Sequence, residues 1–517
     1  MSTEKPGSAT SSSSHPRVAT LSAGCLDIFK GIFGTGVTQQ QEISKEESSQ
    51  GCPEMVSTNS GLSSVSAPPP TYGSLQQEMS QLLVNGQESK LSELWEKDAF
   101  AKVVHHAIED ASAELRAISR KLHKNPELGY EEYKAHALLT DYLEKKGFKV
   151  QRKVYTLDTA FVARAGNSDK VTIGICSEYD ALPGLGHACG HNLIAISGIA
   201  TAIGIKAAIE KFHLKAEVKL FGTPAEETTG GKIVMFDHGA FKNVDVCMML
   251  HGANADEVYP AFLALDNVEV EFFGKASHAS ASPWEGINAL DAAVMTYTNI
   301  GLMRQQLHPS LRVHGIILDG GKAANIIPDY TRSTYTVRAP KYTQVEELKK
   351  RVERIFKSAA IATGCTVKLT WGIPYKVHHH SPKFSHFNDL RVGAFNLDIV
   401  TNDPLARKFE HYMNAQGLKY PSKKEQLSRP SGSTDMGNLT HEMPGIHPMF
   451  NILNLRGEED LSVGMHTKEF AHAAIQPLGH AATLRAAKGL AMTGVECIRD
   501  PEFLKSVKRD FEGARMV

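Results

Sequence analysis

Three apolar, partly β-branched runs, KVTIGICSEYD, EVKLFGTPAEE and VDVCMMLHG, each end in a loop bearing carboxylates or an imidazole, and helical sequence separates them. Parallel neighbours in a sheet need long crossovers, usually helices, so this alternation points to an α/β domain with a mostly parallel, mixed sheet flanked by helices. In such sheets ligands collect in the loops beyond the carboxyl ends of the strands. Asp180 follows the first run, Glu226 and Glu227 the second, and His251 the third. The pattern therefore predicts one site assembled from several strand ends.

The pattern changes between about 263 and 376. LALDNVEVEFFG reads as a strand, EGINALDAAVMTYTNIGLMRQQL as a helix, LRVHGIILDGG and YTRSTYTVRA as strands, VEELKKRVERIFKSAAIATG as a helix and CTVKLTWG as a strand. The order β-α-β-β-α-β is that of a ferredoxin-like unit, here inserted into the first domain. The host domain spans 96–262, where HKNPELGYEEYKAHALLTDYLEKKG is expected to start a helix after Pro126, and resumes over 377–500; a C-terminal tail over 501–517 is expected. Residues 1–95 carry serine clusters and APPPTYGS, a composition that cannot bury enough surface to order itself; CLDIFKGIFG (25–34) is its one apolar patch. HHHSPKFSHFNDLRVGAFNLD (378–398) looks inserted at the hinge, and His378, His379, His380 and His386 are expected in a solvated loop.

Lys plus Arg number 56 against 57 Asp plus Glu. Without a basic excess nucleic acid is not the expected partner, and a small molecule is. Seven scattered cysteines do not make a disulfide framework and suit a reducing, cytoplasmic setting. The N-terminus lacks the basic and apolar regions of a secretory signal. LIAISGIATAIGI, from Leu193, reads as a buried helix too short to span a membrane.

In GLGHACGHN (184–192), His187, Cys189 and His191 alternate among glycines. With Glu226, Glu227, His251 and His466 of GMHTKEF they form a set of thiolate, imidazole and carboxylate donors suited to zinc or a similar divalent ion. That is too many donors for one tetrahedral ion and enough for two sharing a bridging ligand, with one glutamate spared as general base and acid. Each residue has an alternative: the glutamates as caps of a helix starting near Thr229, His251 as a core histidine, Cys189 as a small apolar residue.

From about 100 to 500 the chain resembles the dinuclear metallopeptidases that include aminoacylase, carnosinase and bacterial glutamate carboxypeptidase. HKNPELGYEE, DALP, HACGHN, PAEE, GKASHA, NIIPD and HTKEF are similar to the subgroup of auxin-conjugate and aminobenzoyl-glutamate amidohydrolases. RPSGSTDMGN (429–438) followed by PGIHP points within it to a branch of animal dipeptidases that release basic residues. The resemblance implies two divalent metal ions, zinc or manganese, with Cys189 bridging and His191, Glu227, His251 and His466 as terminal ligands. It implies Glu226 as the base that deprotonates the attacking water, Asp180 as the carboxylate orienting a ligand histidine, and His187 as a bystander. It makes the inserted domain a lid and dimerisation domain, and the protein a homodimer. His278 would reach the partner's active site to stabilise the oxyanion, while Asn325 and Arg338 hold the substrate near its carboxylate. The implied reaction is hydrolysis of a dipeptide or N-acyl amino acid with a free C-terminal carboxylate, Xaa-Lys, Xaa-Arg or Xaa-ornithine first. An acyl–amino acid hydrolase and a non-catalytic dimeric scaffold are the alternatives. SEYD (177–180) departs from the subgroup's AxMD-like sequence, which makes Glu178 a candidate partner for a basic substrate side chain.

Overall fold

The computed structural model describes residues 97–167, 170–228, 230–372, 396–429, 432–455 and 462–515. The serine-rich arm, its CLDIFKGIFG patch and the four histidines of the hinge insertion lie outside the described residues.

A six-stranded sheet carries the first domain, in the order β1-β2-β4-β3-β5-β11. Its strands are β1 (Lys149–Arg152), β2 (Phe161–Gly166), β3 (Val171–Ser177), β4 (Ala216–Gly222), β5 (Val246–Met248) and β11 (Gly445–Ile446). β4, β3, β5 and β11 run parallel, and β1 and β2 add an antiparallel edge. Ile175 at the centre of β3 pairs with Leu220 on one side and Met248 on the other. Helices α1 (Ala99–Lys124), α2 (Tyr133–Lys145) and α3 (His191–Lys211) flank it.

Helix α1 starts at Asp98, whose carboxylate accepts the amide hydrogens of Phe100 and Ala101. Its buried face, Ala101, Val104, Ile108, Ala111 and Leu115, repeats at helical spacing and meets α3. α3 is apolar all round, as a helix covered on every side must be. It has 21 residues, long and apolar enough to cross a membrane by length and composition, but 89% of its apolar window is buried inside the protein. Close packing at its glycines explains the fit: a Cβ on Gly198 would lie 3.0 Å from the Cys176 carbonyl oxygen, and one on Gly204 3.1 Å from Ala491, Ile108 and Val104.

After the short helix α4 (Gly231–Asp237), the chain makes β6 (His251–Ala253) and enters the inserted unit. That unit is β7 (Ala264–Phe273), α5 (Ala289–Met303), β8 (Arg312–Asp319), β9 (Tyr330–Ala339), α6 (Tyr342–Thr363) and β10 (Thr366–Trp371), the expected β-α-β-β-α-β order. Its sheet, β10-β7-β9-β8, is antiparallel throughout and leaves β8 at an edge. Val268, Val270, Phe272, Val337, Val352 and Phe356 form a core separate from that of the first domain. The chain returns through α7 (Asp403–Asn414), α8 (Lys423–Leu427), α9 (Met436–Thr440), β11, β12 (Met449–Asn451), α10 (Lys468–Ala473) and the long α11 (Pro477–Arg499).

Three elements differ from the sequence reading. The third apolar run is not one strand: β5 stops at Met248, and from His251 the chain pairs with β12 in a separate two-stranded ladder. The helix expected after Pro126 begins at Tyr133, because the Glu127 carboxylate turns back to accept the amides of Lys134 and Ala135, at 3.1 and 2.8 Å. The expected tail is a helix, α12 (Pro501–Arg515), with Leu504 and Val507 buried, and the Val507 carbonyl accepts a hydrogen bond from the Asn402 side chain at 2.8 Å. An amphipathic face sufficed to dock it on α7 and α11.

Candidate metal centre

The strand ends of the central sheet converge. β3 delivers Glu178, Tyr179 and Asp180, β4 delivers Pro224 to Glu227, and β5 leads to His251. The turn after β4 is built for close approach: Ala225 has a left-handed φ of 60°, and a Cβ on Gly231 would sit 1.9 Å from the Pro224 carbonyl oxygen. The buried Glu132 accepts the Ala225 amide at 2.9 Å and the Thr159 hydroxyl at 2.8 Å, so the NPELGYEE motif braces the glutamate turn. His466 also has φ of 63°. Left-handed non-glycine backbone persists only where the surroundings over-determine it, and such residues cluster at functional sites.

Two histidines have their tautomers fixed. His191 Nδ1 donates to Asp180 at 2.9 Å, and His251 Nδ1 donates to the Gly252 carbonyl at 2.7 Å, so each Nε2 presents a lone pair. The other Asp180 oxygen accepts the Glu227 amide at 3.0 Å, joining the first two strand ends. Cys189 Sγ lies 3.6 Å from His251 Nε2, and Glu227 Oε1 lies 3.3 Å from His466 Nε2 and 3.8 Å from His191 Nε2. Two ligand atoms about 2.1 Å from one ion at a tetrahedral angle stand about 3.4 Å apart, so these are separations a shared ion produces. Ligand atoms of Cys189, His191 and His251 lie within 4.8 Å of one another, and so do those of Cys189, Glu227 and His466. Cys189 is common to both groups, as a bridging ligand must be.

The buried polar atoms test the fit of divalent ions. His191 Nε2 and Glu227 Oε1 have no hydrogen-bond partner, an arrangement that costs free energy unless a cation meets them. Charges are crowded: burial, with Glu178 and Glu227 close by, holds the Glu226 carboxyl well above the usual range. Burial also raises Glu227, but the neighbouring imidazoles of His466 and His191 bring it below its ordinary value. Burial pushes the Cys189 thiol well up. A bound divalent cation reverses this logic, favouring thiolate and carboxylates together. The donor set suits divalent metals.

The expected helix cap is not what the glutamates make; α4 begins at Gly231, and both carboxylates point toward His191. His187 is buried, its pKa lowered to about 3 by burial, and it stacks on His123 outside both ligand groups. On the inserted unit, His278 and Asn325 are exposed neighbours: the Ala279 amide donates to the Asn325 carbonyl at 3.0 Å, and Ser280 and Ala281 amides donate to His278 Nδ1. No hydrogen bond or ion pair joins either side chain to the metal cluster among the described residues. Arg338 on β9 donates to Ser433 Oγ at 3.1 Å, and no ion pair reaches its guanidinium among the described residues.

The expectation for Glu178 fails. It is wholly buried and bonded to Lys232 of this chain, so it cannot meet a substrate side chain through that oxygen. Sequence reasoning also passes over Glu132, Lys232, Asp435 and His447. His447 is buried, stacks 5.6 Å from the His251 ring and lies tilted 4.9 Å from that of Phe262, and neither of its ring nitrogens has a hydrogen-bond partner. The signals lie in GGK after PAEE, and in STD and IHP within segments already singled out for resemblance.

Comparison with known proteins bears on this arrangement. Residues 265–363 match a family model described as a peptidase dimerisation domain. The chain is 40% identical to the Xaa-Arg dipeptidase of Mus musculus, covering 78% of this chain and 90% of the relative. It is 32% identical to one of the subunits of the p-aminobenzoyl-glutamate hydrolase of Escherichia coli (strain K12), covering 80% and 94%. A putative aminohydrolase from methicillin resistant Staphylococcus aureus shares the fold, with TM-score 0.56, 18% identity and coverage of 74% and 98%. Identity of 40% sustained over nine-tenths of a relative, with the inserted unit matching the dimerisation-domain model, is the ground on which the chain belongs to the M20 family of peptidases and amidohydrolases.

Proposed function

We propose that the protein is a metal-dependent dipeptidase that hydrolyses the amide bond of Xaa-Lys, Xaa-Arg or Xaa-ornithine. The observation that carries the reading is the pairing of two ligand groups through Cys189, with Glu226 beside them and spared from both. Two divalent ions, zinc first and manganese second, supply Lewis acidity toward the scissile carbonyl and make water acidic enough to lose a proton near neutral pH. Cys189, His191, Glu227, His251 and His466 hold them, and Asp180 fixes the His191 ring. Glu226 takes the proton of the attacking water and passes it to the departing amine nitrogen. Arg338 pairs with the substrate's terminal carboxylate, for which a planar fork is suited, and Asn325 helps to place it.

His278 serves the oxyanion of the partner's site, and the dimer forms through the inserted unit. Val294 and Tyr297 on α5 and Ile316 and Leu318 on β8 are exposed apolar residues beside a free sheet edge, a surface that invites covering. Cytoplasmic residence is consistent with Cys176 and Cys247, whose sulfurs lie 3.6 Å apart as unlinked thiols. The 40% identity to an Xaa-Arg dipeptidase favours the basic leaving residue over the acyl–amino acid alternative. The test is turnover of Xaa-Arg, β-alanyl-lysine, Xaa-Glu and indole-acyl conjugates by protein loaded with zinc or manganese. Cleavage confined to acidic or indole-acyl substrates moves the protein to the alternative, and no turnover on any substrate overturns the enzyme reading.

A further inference from the structure

Outside the ligand set lies a fully buried cation between two carboxylates. Lys232, at the start of α4, donates from Nζ to Glu178 Oε1 and to Asp435 Oδ1, and all three side chains are wholly inaccessible. Asp435 holds the lysine twice, since its other oxygen accepts the Lys232 amide at 3.0 Å. A buried ion triad of this kind needs a reason, because desolvation commonly cancels its Coulombic gain. An apolar trio could fill the same volume.

Its unsatisfied end supplies the reason. Glu178 Oε2 is buried with no hydrogen-bond partner, and it lies 3.6 Å from His191 Nε2, itself without one. Two buried polar atoms that face each other unpartnered ask for something between them. Their separation is close to the roughly 3.4 Å expected of two ligand atoms on one tetrahedral ion. Glu178, His191 and Glu226 also place one donor atom each within 4.8 Å of one another. Lys232 and Asp435 neutralise each other, so the triad retains one negative charge, on the carboxylate that faces the cluster.

We propose that Glu178 is a further carboxylate ligand of the ion held by His191, and that Lys232, anchored by Asp435, is the positioning residue that aims its free oxygen there. This rests on the metal reading above and extends it. It also gives work to the GSTD segment. Two residues before Asp435, Ser433 accepts from Arg338, so one short stretch secures both a support of the metal cluster and the arginine of the inserted unit.

The experiment is metal counting on the full chain during graded chelation, with zinc or manganese alone as probe. Glu178→Gln keeps an oxygen for Lys232 but loses the second anionic oxygen. One of the two equivalents is expected to be held about 10- to 100-fold more weakly, the other unchanged. The double change Lys232→Met with Asp435→Asn, which leaves the net charge of the triad unchanged, is expected to weaken the same equivalent, and Lys232→Arg to restore part of it. Should these variants fail to fold, a crystal structure of the metal-loaded wild type decides, with Oε2 expected about 2.0–2.2 Å from an ion. A wild type that binds no metal overturns the metal reading itself. A wild type holding two ions, with Glu178→Gln holding both as tightly or Oε2 beyond about 3 Å from either ion, overturns this inference alone.

Discussion

The two groups of site residues are held in opposite ways. On the central sheet, Asp180, Cys189, His191, Glu227 and His251 are cross-connected over several strand ends, and strained backbone at Ala225 and His466 is fixed by its surroundings. On the inserted unit, His278 and Asn325 are exposed and, among the described residues, bonded only within that unit. Preorganisation of the first kind suits charge stabilisation and proton transfer, where misplacement by a fraction of an ångström is costly. The second kind suits groups that act only after another surface arrives. The lesson is that the candidate metal ligands are preorganised within one chain, whereas the groups proposed to meet substrate are not tied to them among the described residues.

That contrast can be broken from the strong side first. Removal of metal by chelation should abolish hydrolysis, with recovery on adding zinc or manganese; activity that survives complete demetallation would falsify the metal reading. Glu226→Gln should lower kcat by about 100- to 10,000-fold while metal content stays at the wild-type level. Loss of metal in that variant would instead make Glu226 a ligand and leave the general base unassigned.

On the weaker side, His278→Ala should lower kcat by about 100- to 1,000-fold with metal content intact, if its imidazole serves an oxyanion. The same loss should follow from Tyr297→Glu with Ile316→Lys, which charges the apolar face of α5 and β8. Sedimentation should then report a monomer. A fully active monomer would show that His278 acts within its own chain or not at all. Arg338→Met should raise KM by about 30-fold, the worth of roughly 2 kcal/mol for a charged hydrogen bond, with kcat less affected. A change confined to kcat would remove the arginine from carboxylate binding.

The same contrast governs what can be read from the sequence. Strand ends rich in ligand-type side chains are legible, since period and loop position place them without tertiary knowledge. Glu227 and His251 are found that way, while Cys189, His191 and His466 are singled out by residue type and by family resemblance; their donor atoms do gather. The supports are not legible. Lys232 follows a glycine pair and looks like any helix-start lysine, and only the fold shows it buried against Glu178 and Asp435, 54 residues before it and 203 after it. Glu132 likewise pairs with Ala225 across 93 residues. Long-range partners of a buried charge leave no periodicity. The β-α-β-β-α-β order can be read because each element is periodic in itself, whereas α12 escapes because its short apolar stripe sits in a strongly charged run.

Acid offers the smallest and most local test of the difference between the two regions. Where α1 packs on α11, burial and the Lys488 charge lower the His105 pKa to about 4, and burial with Arg116 lowers that of His480 to about 4. His480 Nε2 and the Ser112 hydroxyl share a hydrogen bond at 3.1 Å. A folded pKa below the unfolded value means that the neutral ring is favoured by folding. The stabilisation is complete above about pH 6.5 and is lost as pH falls toward 4. For His480 the displacement corresponds to about 3 kcal/mol at most. In the inserted unit, His314 is the one histidine with a lowered pKa among the described residues, from burial and Arg338. Lowering the pH from 7 to 5 should therefore reduce amide protection, measured against the intrinsic exchange rate at each pH, in α1 and α11 more than in α6. His480→Gln, which can still bond Ser112, should remove part of that acid sensitivity without altering exchange in α6. Equal acid sensitivity of α6 and α11, unchanged in the variant, would show that the first domain has no acid weakness of its own at this contact.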